Sequence, residues 1–105
     1  MTDATWKAVE RKICAMLGGV RMVTDGEGRR DCEGTEPYCV EVKHRQSVPD
    51  WLTDALLQAA LYARADELPI AVIHPERAPI TASLVVMRLG AFQDWFVSPW
   101  EHTDE

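Results

Sequence analysis

Apolar positions along the chain follow two rhythms. From Ala4 to Leu17 they recur at Trp6, Val9, Ile13, Met16 and Leu17, a helical spacing that Gly18-Gly19 brings to a stop. Val20 to Thr24 is short and β-branched, which predicts a strand, and Asp25-Gly26-Glu27-Gly28 reads as a turn. Arg29 to Glu33 then reads as a second strand, Gly34-Thr35-Glu36-Pro37 as a turn, and Tyr38 to Lys43 as a third strand of an antiparallel meander. Ser47-Val48-Pro49-Asp50 suits a helix start, with Ser47 as cap and Pro49 in the first turn. That helix is expected from Pro49 to Ala65, with Trp51, Leu52, Ala55, Leu56, Ala59 and Tyr62 on one broad face. Leu68 to His74 is almost continuously apolar, as a buried strand is. A proline-rich loop follows at Pro75 to Pro79, then a strand within Ala82 to Leu89 and a short helix from Gly90 to Phe96. Residues 98–105 read as a flexible tail. The order predicts an α/β fold, a mixed central β-sheet flanked by helices, forming a single domain over residues 1–105.

Composition narrows the setting. No apolar run approaches the ~20 residues that span a bilayer, and the N-terminus lacks an apolar leader, so an intracellular, cytoplasmic protein with no membrane partner is expected. Cys14, Cys32 and Cys39 are odd in number, which favours reduced thiols over a disulfide framework. A zinc site drawn from Cys32, Cys39, His44 or His74 is disfavoured by their spacing. The net charge of −6 argues against a simple nucleic-acid binder. The charge is uneven, however: Arg21, Arg29, Arg30, Lys43, His44 and Arg45 gather in one stretch, while Asp3, Asp25, Glu27, Glu101, Asp104 and Glu105 lie at the ends and in loops.

The chemistry is concentrated in Tyr38-Cys39-Val40-Glu41-Val42-Lys43-His44-Arg45. In an extended segment alternate side chains share a face, so Val40 and Val42 point one way while Glu41, Lys43 and Arg45 point the other. A carboxylate beside an ammonium suits metal-assisted attack on a phosphodiester, although taken alone a solvated or cross-strand pair on a strand face is the simpler account. Asp31, on the preceding strand, is the first choice for a second carboxylate, and Glu33, two residues on, is the alternative. Glu10 borders the apolar stripe of the first helix, where it either joins the site or pairs with a neighbouring lysine or arginine. Gln58 and Tyr62, four residues apart, share a face of the following helix. Arg45 suits a phosphate or a salt bridge, Arg29-Arg30 the DNA backbone or a solvated turn, and His44 a structural role on the opposite face. Trp51, Trp95, Phe96 and Trp100 suit core packing or, near the C-terminus, a dimer edge.

Taken in order, Glu10, Asp31, Glu41-Val42-Lys43 and Gln58-x-x-x-Tyr62 resemble the PD-(D/E)XK nuclease superfamily, in particular its small archaeal and phage Holliday-junction resolvase-like members. The likeness runs from Trp6 to about His74. Arg30 stands where the superfamily's name has proline. The resemblance implies a restriction-endonuclease-like core and a metal-dependent endonuclease, structure-selective for branched or four-way-junction DNA and acting as a homodimer. It implies that Asp31, Glu41 and the Val42 carbonyl hold Mg2+ or Mn2+, with Glu10 completing the site directly or through water. Lys43 would orient or deprotonate the attacking water, Gln58 would position DNA or the nucleophile, and Tyr62 would support that helix face. Arg29, Arg30 and Arg45 would meet the DNA. A nicking or end-processing nuclease of phage type, and a non-catalytic DNA- or protein-binding module, are the alternatives.

Overall fold

A computed structural model of the chain describes residues 2–23 and 30–97. These fall into two compact units. The first closes at Arg45 and takes in Val97, and the second is Gln46–Phe96.

The first unit opens with α1 (Thr2–Met16). Its buried line is Glu10, Cys14 and Leu17, spaced i, i+4 and i+7, with Val9, Ile13 and Met16 half-buried beside it. Trp6, expected in that stripe, is exposed. The helix ends in a Schellman turn: Gly18 N–H donates to Ala15 O and Gly19 N–H to Cys14 O, with Gly18 at φ 92°. The turn sends the chain back along the helix as β1 (Val20–Arg21), which packs on α1 and pairs antiparallel with β2 (Cys32–Glu33). Gly19 passes so close to β2 that a β-carbon there would lie 2.1 Å from the Glu33 carbonyl oxygen. Only glycine fits. Thr35, fully buried, then closes the next turn: its Oγ1 donates to Tyr38 O and its carbonyl accepts from Tyr38 N.

The expected third strand forms no ladder. Burial from Tyr38 to Lys43 alternates half-buried and exposed with period two, as extended chain does. One main-chain bond, Asp31 N to Val40 O at 3.3 Å, joins it to its neighbour. The next donor, Val42 N–H, goes instead to the Asp31 side chain. A carboxylate has taken the place of a strand carbonyl, and the ladder stops there.

In the second unit α2 (Asp50–Tyr62) packs on β3 (Ala71–Ile73), which pairs antiparallel with β4 (Leu84–Val86). Leu56 and Ala71 are its buried apolar residues. Ser47 is not the cap expected for α2. Pro49 occupies that position at φ −60°, and its carbonyl accepts from Leu52 N. The helix stops at Tyr62, short of Ala65, because Ala63 turns extended and Glu67 captures both the main-chain N–H and the guanidinium of Arg64. Of the predicted apolar face only Leu56 is buried, and Trp51 and Tyr62 are exposed. The apolar run at Leu68 to His74 yields a three-residue strand whose Val72 is exposed. A 3-10 turn (Ile80–Ala82) precedes β4, and α3 (Leu89–Phe96) follows, with the Phe92 and Phe96 rings 5.1 Å apart.

The α/β class holds, with three α-helices among the described residues. A single mixed sheet does not form among the described residues: they make two separate antiparallel pairs of strands, each within its own unit. Among the described residues no helix is long and apolar enough to cross a membrane. The expected tail at 98–105 lies outside the described residues.

Candidate functional site

The first unit carries an open cleft of about 450 Å³, lined by Trp6, Glu10, Asp31, Glu41, Val42, Lys43, His44 and Arg45. Three chain segments meet there. α1 supplies Trp6 and Glu10 from one face, four residues apart. Asp31 comes from the residue before β2. The extended segment after Thr35 supplies residues 41–45.

Each carboxylate has a partner. Glu10 is almost fully buried, and its Oε1 accepts from Arg21 Nε at 2.5 Å, an ion pair delivered by the Schellman turn and β1. The Arg21 guanidinium also lies over the Trp6 ring, 5.5 Å from its centroid. Asp31 Oδ2 accepts from Val42 N–H at 2.6 Å, which ties the two segments together beside the cleft. Glu41 and Lys43 form an exposed ion pair, 3.0 Å between Oε2 and Nζ, so the two side chains do share a face. Arg45 Nη1 donates to its neighbour's carbonyl at His44.

The structure thus brings Glu10, Asp31, Glu41, Val42, Lys43 and Arg45 together. Asp31 lines the cleft, whereas Glu33 is exposed on β2 and is not among the lining residues. His44, expected on the opposite face in a structural role, lines the cleft and is exposed, because no ladder past Val42 enforces the alternation. Arg30 is exposed, and Arg29 lies outside the described residues. Gln58 and Tyr62 belong to the second unit. Gln58 lines a surface depression with Trp51, Asp54, Ala55, Leu57 and Leu61, and Tyr62 a different one that includes Ala59 and Trp95.

Cys14 and Cys32 form a disulfide, their Cα atoms 5.4 Å apart and both residues fully buried. This corrects the expectation of reduced thiols. Three cysteines can make one bridge and leave one thiol, and Cys39 is that free, exposed residue. The bridge joins the residue one turn after Glu10 to the residue next to Asp31, and Cys14 Sγ lies 3.6 Å from the Asp31 carbonyl oxygen. The sequence offered one signal for this arrangement. Trp6, Glu10 and Cys14 are spaced by four, so a single helix face carries all three.

Three His, Cys, Asp or Glu groups do not converge as a metal cage among the described residues. Three carboxylates, Glu10, Asp31 and Glu41, line the cleft with Val42, and Glu10 is committed to Arg21. Carboxylate oxygens are the donors that hard divalent cations take, so Asp31 and Glu41 are the residues that could hold one. Comparison with protein-family models, with curated proteins and with solved structures found no match to this chain.

Proposed function

We propose that the chain is a metal-dependent DNA endonuclease of PD-(D/E)XK type with a restriction-endonuclease-like core, acting as a homodimer on branched DNA such as a four-way junction. The observation that carries this reading is the shared cleft: Glu10, Asp31, Glu41, Val42 and Lys43, ordered in the sequence as in that superfamily, line one cavity.

The parts divide the work as follows. Asp31 is held in place by the Val42 N–H and has a second carboxylate oxygen to offer a cation, with the Val42 carbonyl as the further ligand the resemblance implies. Bound Mg2+ or Mn2+ would supply Lewis-acid stabilisation of charge at the phosphate and lower the pKa of a coordinated water. Glu41 would join Asp31 in holding that cation, and Lys43, whose Nζ lies 3.0 Å from Glu41 Oε2, would orient the attacking water or offset charge on phosphorus. Glu10, fixed by Arg21, completes the wall. Lys43 and Arg45 at the cleft, with the exposed Arg30, meet the DNA backbone.

The test is a divalent-metal titration with four-way-junction, flap and linear duplex DNA. Cleavage requires Mg2+ or Mn2+ and falls about a hundredfold or more in Glu41→Ala and in Lys43→Ala, the usual cost of losing one stabilising group at the reacting centre. Both residues are more than 60 % exposed as side chains, so neither change alters the melting temperature measurably. Undiminished cleavage by both variants removes the site assignment, and cleavage of nicked or linear ends alone turns the reading to a nicking or end-processing enzyme. A second reading rests on the same contacts: Glu10, Asp31 and Glu41 are all satisfied by protein partners, as in a non-catalytic binding module. Absence of both metal binding and cleavage in the wild type decides for it.

A further inference from the structure

Trp6 belongs by spacing to the apolar stripe of α1, yet it is 37 % exposed and lines the cleft beside Glu10, Asp31, Glu41 and Lys43. A tryptophan that serves packing alone places its ring in the core; this one stands among charged groups. Its setting is also built. The Arg21 guanidinium lies over the ring, and the Nε of that guanidinium is anchored by the buried Glu10. The indole is therefore held by a fixed cation, and it is 37 % exposed where it lines the cleft. Every nucleobase has a π-face that stacks on an aromatic ring, and that face is free only where the base has left the duplex stack.

We infer that Trp6 is a base-stacking platform and that the cleft takes a strand carrying an unpaired base next to the phosphate it holds. The inference rests on the nuclease reading above and adds its substrate class: DNA that is single-stranded, flapped or open at a branch point, in preference to intact duplex. Trp6 is then a specificity-determining residue, and Arg21 the group that orients it.

The experiment measures binding of the full chain to a fluorescein-labelled single-stranded oligonucleotide and to the blunt duplex of identical sequence. Ca2+ replaces Mg2+ so that binding is read without cleavage. Trp6→Ala weakens the single strand roughly tenfold or more, within the range that base–aromatic stacking supports, and leaves the duplex within about twofold. Trp6→Phe restores part of the loss. Trp6→Leu, which keeps an apolar side chain but no ring, behaves as Trp6→Ala and decides the matter if the alanine variant melts early by circular dichroism. Equal weakening of both probes, or none, overturns the stacking role. If the wild type cleaves DNA while Trp6→Ala and Trp6→Leu bind as it does, only this inference falls. If the wild type neither binds nor cleaves any DNA with divalent metal, the nuclease reading falls first.

Discussion

Arg21 is the residue through which the inner wall of the cleft is held. Glu10 carries a charge at a position 6 % exposed, where an unpaired carboxylate costs several kcal/mol. The Arg21 side chain, itself 17 % exposed, is the ion-pair partner that offsets this cost. Removing one partner strands the other, so Arg21→Ala is expected to lower unfolding free energy by about 3 kcal/mol. Replacing both, as Glu10→Leu with Arg21→Leu, recovers most of that loss. A double-mutant cycle in urea measures the coupling, and an Arg21→Ala cost equal to that of an ordinary surface change removes the pair from the account of stability. Glu10 was legible as a candidate because it borders an apolar stripe. Its partner was not, since eleven residues separate the two and only the reversal at Gly18-Gly19 brings them together.

At the level of elements, periodic pattern was the reliable signal. α1, α2 and α3 all form near where apolar spacing puts them, and the Gly18-Gly19 stop is a real Schellman turn. Failures came where one side chain replaced a main-chain partner. Asp31 takes the Val42 N–H and ends a ladder that the residues from Tyr38 to Lys43 otherwise suit, and Glu67 ends α2 early. The alternation of faces survived to Lys43 because an extended chain needs no ladder to alternate. Cysteine parity misled for a different reason: an odd count says nothing about which two sulfurs a helix and a strand will bring together. In the described part of the first unit the buried apolar residues are Cys14, Leu17 and Cys32, so the bridge forms much of that core. Alkylation of denatured, unreduced protein is expected to label Cys39 alone, and all three cysteines after reduction. Cys14→Ala with Cys32→Ala should cost about 3 kcal/mol, as closing a loop of this size contributes. Three labelled thiols before reduction would show the bridge absent from the protein in solution.

For the whole molecule, charge decides how it can meet DNA. A chain of net charge −6 has little general attraction for a polyanion, so binding must rest on a few cations close to the phosphates. Lys43 and Arg45 stand at the cleft, and Arg30 is exposed on the segment before Asp31. With three such contacts the logarithm of affinity for a single strand should fall against the logarithm of salt with a slope of roughly −2, shallow beside that of a basic DNA-binding protein. Lys43→Ala and Arg45→Ala should each flatten the slope by about a third and weaken all sequences alike, because a phosphate contact carries no sequence information. Trp6→Ala should leave the slope where it is, since stacking releases no counterion, while lowering affinity at every salt concentration. The two kinds of variant thus separate by slope and intercept in one titration series. A slope that Lys43→Ala and Arg45→Ala leave unchanged would move the DNA away from this cleft, whatever the affinity itself.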